Sequence, residues 1–208
     1  MFINILKMNQ KNGQNRIYRN FILICCLLLI SRSYDFVTTY LYTPDLKNET
    51  NFLVKVFNLN YYGLFLIQIS LLCFVIYCFY FYTFKKYEIP KANVLTLKEF
   101  IPFFHFKKRE KFIAFLYKQP ILPSILYSVG YIVTFSLIFV GFIVGTSTLF
   151  LLLSEEYRKV YKFGGAYALY IILVLIVLYF TYKFYKKEYF KSIEIKTIYN
   201  KTKQRYLD

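Results

Sequence analysis

The chain has 208 residues, is 58% hydrophobic and 23% aromatic, and holds only 7 Gly and 5 Pro. That is too apolar for an ordinary soluble domain, and long apolar runs mark a membrane protein. A net charge of +16 on a soluble surface would point to nucleic acid, but here the charge lies between apolar runs, so the bilayer replaces nucleic acid as the expected partner.

Phe, Tyr, Lys, Ile and Asn, all with AT-rich codons, are abundant and Ala is rare, which fits an AT-rich bacterial or organellar genome. A Tyr or Phe is therefore weak evidence of selection for a ring. The expected fold is all-α: one membrane domain over 1–208 with four transmembrane helices and an interfacial amphipathic segment. The spans are expected at about 20–42, 61–84, 125–153 and 165–184, since crossing the hydrocarbon takes about 20 apolar residues.

The first span is the irregular one. Phe21–Ile30 is strongly apolar, but spanning length is reached only by continuing through "SRSYDFVTTYLY" to Tyr42. A basic leader with Ser31 and Ser33 near a cleavage point would make it a signal peptide instead; Val37, Leu41 and the tyrosines carry the helix past that point. Arg32, Asp35 and Thr39 fall at i, i+3 and i+7 on one helix face, with Ser31, Asp35, Thr38 and Tyr42 along a neighbouring line. Charges at such depth are costly and face a bundle interior or a watery cavity, commonly paired. Pro44 then ends the helix. Asp35 lies roughly 12 Å below that end, and the connection from 44 to 51 reaches roughly 25 Å when extended, so Glu49 and Asn51 can return to it.

"YDFVTT" followed by "PDLKNETN" resembles a motif of an uncharacterised family of small bacterial integral membrane proteins. In that family an Asp followed by Thr on the first helix precedes a loop ending in Glu-x-Asn-Pro. The matching positions are Asp35, Thr38 or Thr39, Glu49 and Asn51, with Phe52 in place of the proline. The resemblance covers about a quarter of the chain and implies which residues matter without implying a reaction. By themselves, Arg32, Asp35, Thr38, Thr39, Glu49 and Asn51 form either a hydrogen-bonded clasp or a binding site.

The basic segment 85–120 follows the second span. In "LKEFIPFFHFKKREKFIAFLYK", Phe112, Ile113, Leu116 and Tyr117 share one helical face, which predicts a helix lying on the leaflet. Lys107, Lys108, Arg109 and Lys111 would then sit over anionic lipid headgroups. His105, the only histidine, has no ligand-spaced companion and reads as structural. In the third span Gly141 and Gly145 flatten one face for close helix packing, within the chain in preference to a homodimer. Ser124, Ser128 and Thr134 can bond back to their own helix.

Positive charge alternates with the spans. Residues 1–20 carry four basic groups and no acid, 85–120 nine against three, and 183–208 eight against three. Residues 31–60 carry three against three and 154–164 three against two. Both termini are therefore expected on the cytoplasmic side of a bacterial inner membrane, or the matrix side of an organelle inner membrane.

No metal and no cofactor is expected, since Cys25, Cys26, Cys73 and Cys78 lie inside apolar runs without ligand spacing. No catalytic residue is assigned, as no nucleophile arrangement, HExxH or phosphate-cradling loop accompanies the carboxylates. The leading functional expectation is a structural or accessory subunit of a membrane complex. A small transporter or ligand-binding protein using Asp35 and Glu49 comes second, and an intramembrane enzyme third.

Overall fold

The computed structural model describes residues 2–44, 60–85, 87–88 and 96–205, with side chains for 13–44, 60–85, 87–88 and 96–193. Among these residues there are only helices and short connections. The helices are α1 (Phe2–Tyr42), α2 (Tyr61–Phe84), α3 (Leu97–Phe106), α4 (Leu122–Leu153), α5 (Glu155–Val160) and α6 (Ala166–Arg205). Four stretches, Gly13–Tyr42, Tyr61–Phe84, Leu122–Leu153 and Glu155–Ile193, are long and apolar enough to cross a membrane. The physical reason is that a helix bonds every backbone group within its own segment, so an apolar run need leave none to the lipid.

Local signals set the ends. The Thr43 N–H donates to Thr39 O at 2.9 Å before Pro44, and the Asn60 side chain accepts from Gly63 N at 2.9 Å to open α2. At α3 a Thr96–Glu99 capping box satisfies two backbone donors, and Lys107 at φ 55° closes the helix.

Helix α4 is the hub, packing against α1, α2 and α6. Gly141 meets Ser31 and Gly145 meets Tyr34, so α1 and α4 run parallel. Phe21 meets Phe79 and Phe84 while Phe36 meets Tyr61, so α2 runs against α1. Tyr131 pairs with Phe184 and Phe135 with Phe180, so α6 runs against α4. The end of α2, the start of α4 and the latter part of α6 therefore share one end of the bundle with α3.

The segment 85–120 departs from the expected surface helix. Phe100 and Phe104 of α3 are fully buried with Tyr127, Tyr131, Phe180 and Phe184, so α3 plugs the bundle end. The chain leaves helical geometry at Lys107, and Phe112–Leu116 form a 3-10 turn. Five residues in that geometry are too few for one continuous helical face. Ala114 is buried within it while Phe112, Ile113, Leu116 and Tyr117 stay exposed.

The expected connection at 154–164 is also mostly helix. Ser154 alone is extended, at φ −126° and ψ 118°, and its side chain caps α5 by accepting from Tyr157 N at 3.2 Å. A π-turn over Tyr161–Gly165, with Gly164 at φ 142°, leads into α6, which continues through the basic tail.

Candidate functional site

Small residues on α4 bring α1 close. A Cβ on Gly141 would overlap Ser31 Oγ and stand 2.9 Å from Ser31 O, and one on Gly145 would stand 2.6 Å from the Tyr34 ring and 3.3 Å from Asp35 Cα. In that space Ser31 Oγ donates to Ile138 O at 2.7 Å, a bond between helices. Gly141 and Gly145 thus face α1 within the chain. Gly130, not singled out in the sequence, does the same for α2, its missing Cβ leaving room for the Cys78 carbonyl.

Above this seam the polar face of α1 opens onto a cavity of about 360 Å³ between α1, α2, α4 and the Tyr161–Leu173 region. Arg32, Asp35, Thr39 and Tyr42 line it from α1, Gln68 from α2, and Ser147 and Thr148 from α4. Arg32 Nη2 lies 3.1 Å from Asp35 Oδ2, with side-chain exposures of 19% and 11%. Counting 1.5 Å per residue from Tyr42, Asp35 sits about 10 Å and Arg32 about 15 Å inside the helix end. An ion pair at that depth keeps both charges satisfied, and both side chains line the cavity.

The two threonines part company. Thr39 lines the cavity, whereas Thr38 is buried and its Oγ1 donates to Tyr34 O and Asp35 O at 3.0 Å. Glu49 and Asn51 lie outside the described residues. Gln68 is the one amide in an otherwise apolar span, a signal available from sequence alone. Ser147 accepts or donates with Tyr157 OH at 2.8 Å, and Arg158 donates to Leu151 O at 2.7 Å and Leu152 O at 3.1 Å. Those bonds close the end of α4 beside the cavity and satisfy carbonyls a helix end leaves open.

At the other end, His105 joins three elements. Its Nδ1 is 3.0 Å from Ser124 Oγ and its Nε2 2.6 Å from Tyr185 OH. Burial among aromatics lowers its pKa to about 4, so the ring is neutral near pH 7. Tyr87 OH donates to Phe104 O at 2.8 Å, and burial pushes its pKa up. Ser124 and Ser128 bond back to Ile121 O and Ile125 O. Thr134 does not follow them: its hydroxyl is buried without a hydrogen bond. Glu188 is fully buried, with Oε1 2.7 Å from Lys191 Nζ and Oε2 unpartnered. Lys107, Lys108, Arg109 and Lys111 are exposed, with Lys107 5.9 Å from the Tyr87 ring centroid. All four cysteines are free, and among the described residues no three His, Cys, Asp or Glu side chains gather as a metal site.

No family model matches this chain, and neither a curated protein nor a solved structure is significantly similar to it.

Proposed function

We propose that this chain is a multi-pass protein of a bacterial cytoplasmic membrane, with both termini cytoplasmic, that takes a small neutral polar or zwitterionic ligand into the cavity beside Arg32 and Asp35. The observation that carries this reading is the pairing of a 360 Å³ cavity with an ion pair and neutral hydroxyl and amide groups inside a spanning bundle. A clasp that only held helices together needs no space beside it, whereas ligand sites are concave, mostly apolar and furnished with a few convergent polar groups. Among the described lining residues the charges of Arg32 and Asp35 cancel, which favours a neutral or zwitterionic occupant over a bare ion.

The test is access from water. In a background with the four native cysteines replaced, Thr39→Cys and Thr148→Cys should react with a charged, water-soluble thiol reagent in proteoliposomes. Leu28→Cys, fully buried in the seam, should stay unmodified. Failure of both cavity positions to react sinks the ligand-site reading.

A second reading, an accessory subunit of a membrane complex, is favoured by the fourth span. Only 6% of the most apolar stretch of Glu155–Ile193 is buried within the chain, against 22–33% for the other three. That leaves its apolar sides to lipid or to another protein's helices. Purification in mild detergent that always gives a lone monomer would count against it.

A further inference from the structure

We propose that the cavity between α3 and the 107–113 segment is a site for the headgroup of an anionic phospholipid drawn from the leaflet that the segment touches. Thr96, Lys98, Phe103, Arg109, Lys111 and Phe112 contribute to a hollow of about 760 Å³. Two acids also line it, and both are engaged: Glu110 bonds Lys118 Nζ at 2.6 Å, and Glu99 accepts from Thr96 N at 3.2 Å in the helix cap. Lys98, Arg109 and Lys111 outnumber them in the lining, and Lys107 and Lys108 directly precede Arg109 in the chain, so the net charge there is positive. Next to the basic groups stand Phe112 and Ile113, each 57% exposed, Leu116 at 84% and Tyr117 at 66%.

Covalent connection places this mixed surface. Helix α2 ends at Phe84 and α4 begins at Leu122, both long and apolar enough to cross a membrane, which sets residues 96–121 between them at a membrane face whichever side that is. Exposed aromatic and aliphatic side chains interleaved with lysine cannot be satisfied by water alone. At a bilayer face the rings enter the headgroup–acyl boundary while the ammonium groups meet phosphate. The hollow, bounded by α3 below and the 3-10 turn above, adds a place for one headgroup to seat against Lys98 and Lys111. The proposal does not depend on the ligand-site reading of the α1 cavity.

The chain contains no tryptophan, so a single Phe112→Trp replacement gives a clean fluorescence reporter. It is reconstituted into phosphatidylcholine vesicles carrying an equal minor fraction of either brominated phosphatidylglycerol or brominated phosphatidylcholine. One basic residue held against the headgroup supports on the order of a fivefold local enrichment. Quenching by the anionic lipid should therefore exceed quenching by the zwitterionic one severalfold and shrink as salt is raised. A Leu175→Trp reporter on a lipid-facing position of α6 should be quenched equally by both. Adding Lys98→Gln, Lys107→Gln, Lys108→Gln and Lys111→Gln should abolish the preference at Phe112→Trp while leaving the Leu175→Trp signal unchanged. With the Leu175→Trp control intact, equal quenching at Phe112→Trp overturns the anionic site. No quenching by either lipid overturns it too, since the segment would then face water or protein.

Discussion

Replacing Gly141 by alanine inserts one methyl group where two helix backbones meet. Its Cβ would overlap Ser31 Oγ, which must swing away and lose its 2.7 Å bond to Ile138 O. It would also lie 2.9 Å from Ser31 O, and reaching the ordinary contact of 3.4 Å requires the helices to part by about 0.5 Å. Overpacking of this kind costs about 1–3 kcal/mol, the lost interhelical bond adds about 0.6 kcal/mol, and alanine's better helix propensity returns at most about 1 kcal/mol. The net expectation is a loss of about 1–2 kcal/mol, roughly tenfold in the folded-to-unfolded ratio. Gly130→Ala should cost at least as much, because its Cβ would overlap the Cys78 carbonyl oxygen and stand 2.7 Å from the carbonyl carbon, and backbone cannot rotate aside. Gly145→Ala should cost less, since the obstacle is the Tyr34 ring, a side chain. Gly13→Ala, with nothing within 4 Å, should be neutral or stabilising. The assay is unfolding of the purified chain in mild detergent titrated with sodium dodecyl sulfate, followed by circular dichroism. If Gly141→Ala matched the parent protein, or Gly13→Ala proved the more damaging, the close α1–α4 approach would be refuted.

The Arg32–Asp35 pair gives a second expectation. Asp35→Asn leaves Arg32 without its charge partner and should cost nearly 3 kcal/mol, the low end for a buried pair because the cavity gives the cation some access to water. Arg32→Leu with Asp35→Leu should recover much of that stability in the same titration; recovery of function as well would rule out an essential chemical role for Asp35. His105 makes stability depend on pH. Its folded value of about 4 lies below the ordinary 6.5, so the unfolded chain binds more protons between those values. Stability should therefore fall as pH drops from about 6.5 toward 4, and His105→Asn should flatten that slope; an unchanged slope would show that another group titrates. For orientation, Phe163→Cys, at 95% exposure, should label with an impermeant thiol reagent on intact cells while Lys108→Cys should not, and the reverse pattern would invert the topology.

Hydropathy sums along a single helix, so four spans were legible in the one-dimensional sequence, and the 61–84 span matches its helix end for end. Punctuation was legible too, because Pro44 acts through local sterics that need no partner. What the sequence could not decide is which face of each span meets which neighbour. A soluble helix advertises its buried stripe by contrast with a polar face. In a spanning helix the lipid side and the protein side are equally apolar, so Leu28 at 0% exposure and Ile30 at 57% read alike. Only packing separated Thr38, which serves its own backbone, from Thr39, which faces the cavity. The same holds for α3, whose aromatics suit a leaflet surface as well as a bundle end. The aromatics of α4 and α6 settled where Phe100 and Phe104 lie, through contacts such as Phe104 with Phe184 and Phe100 with Tyr189, 80 and 89 residues apart and invisible to any local pattern.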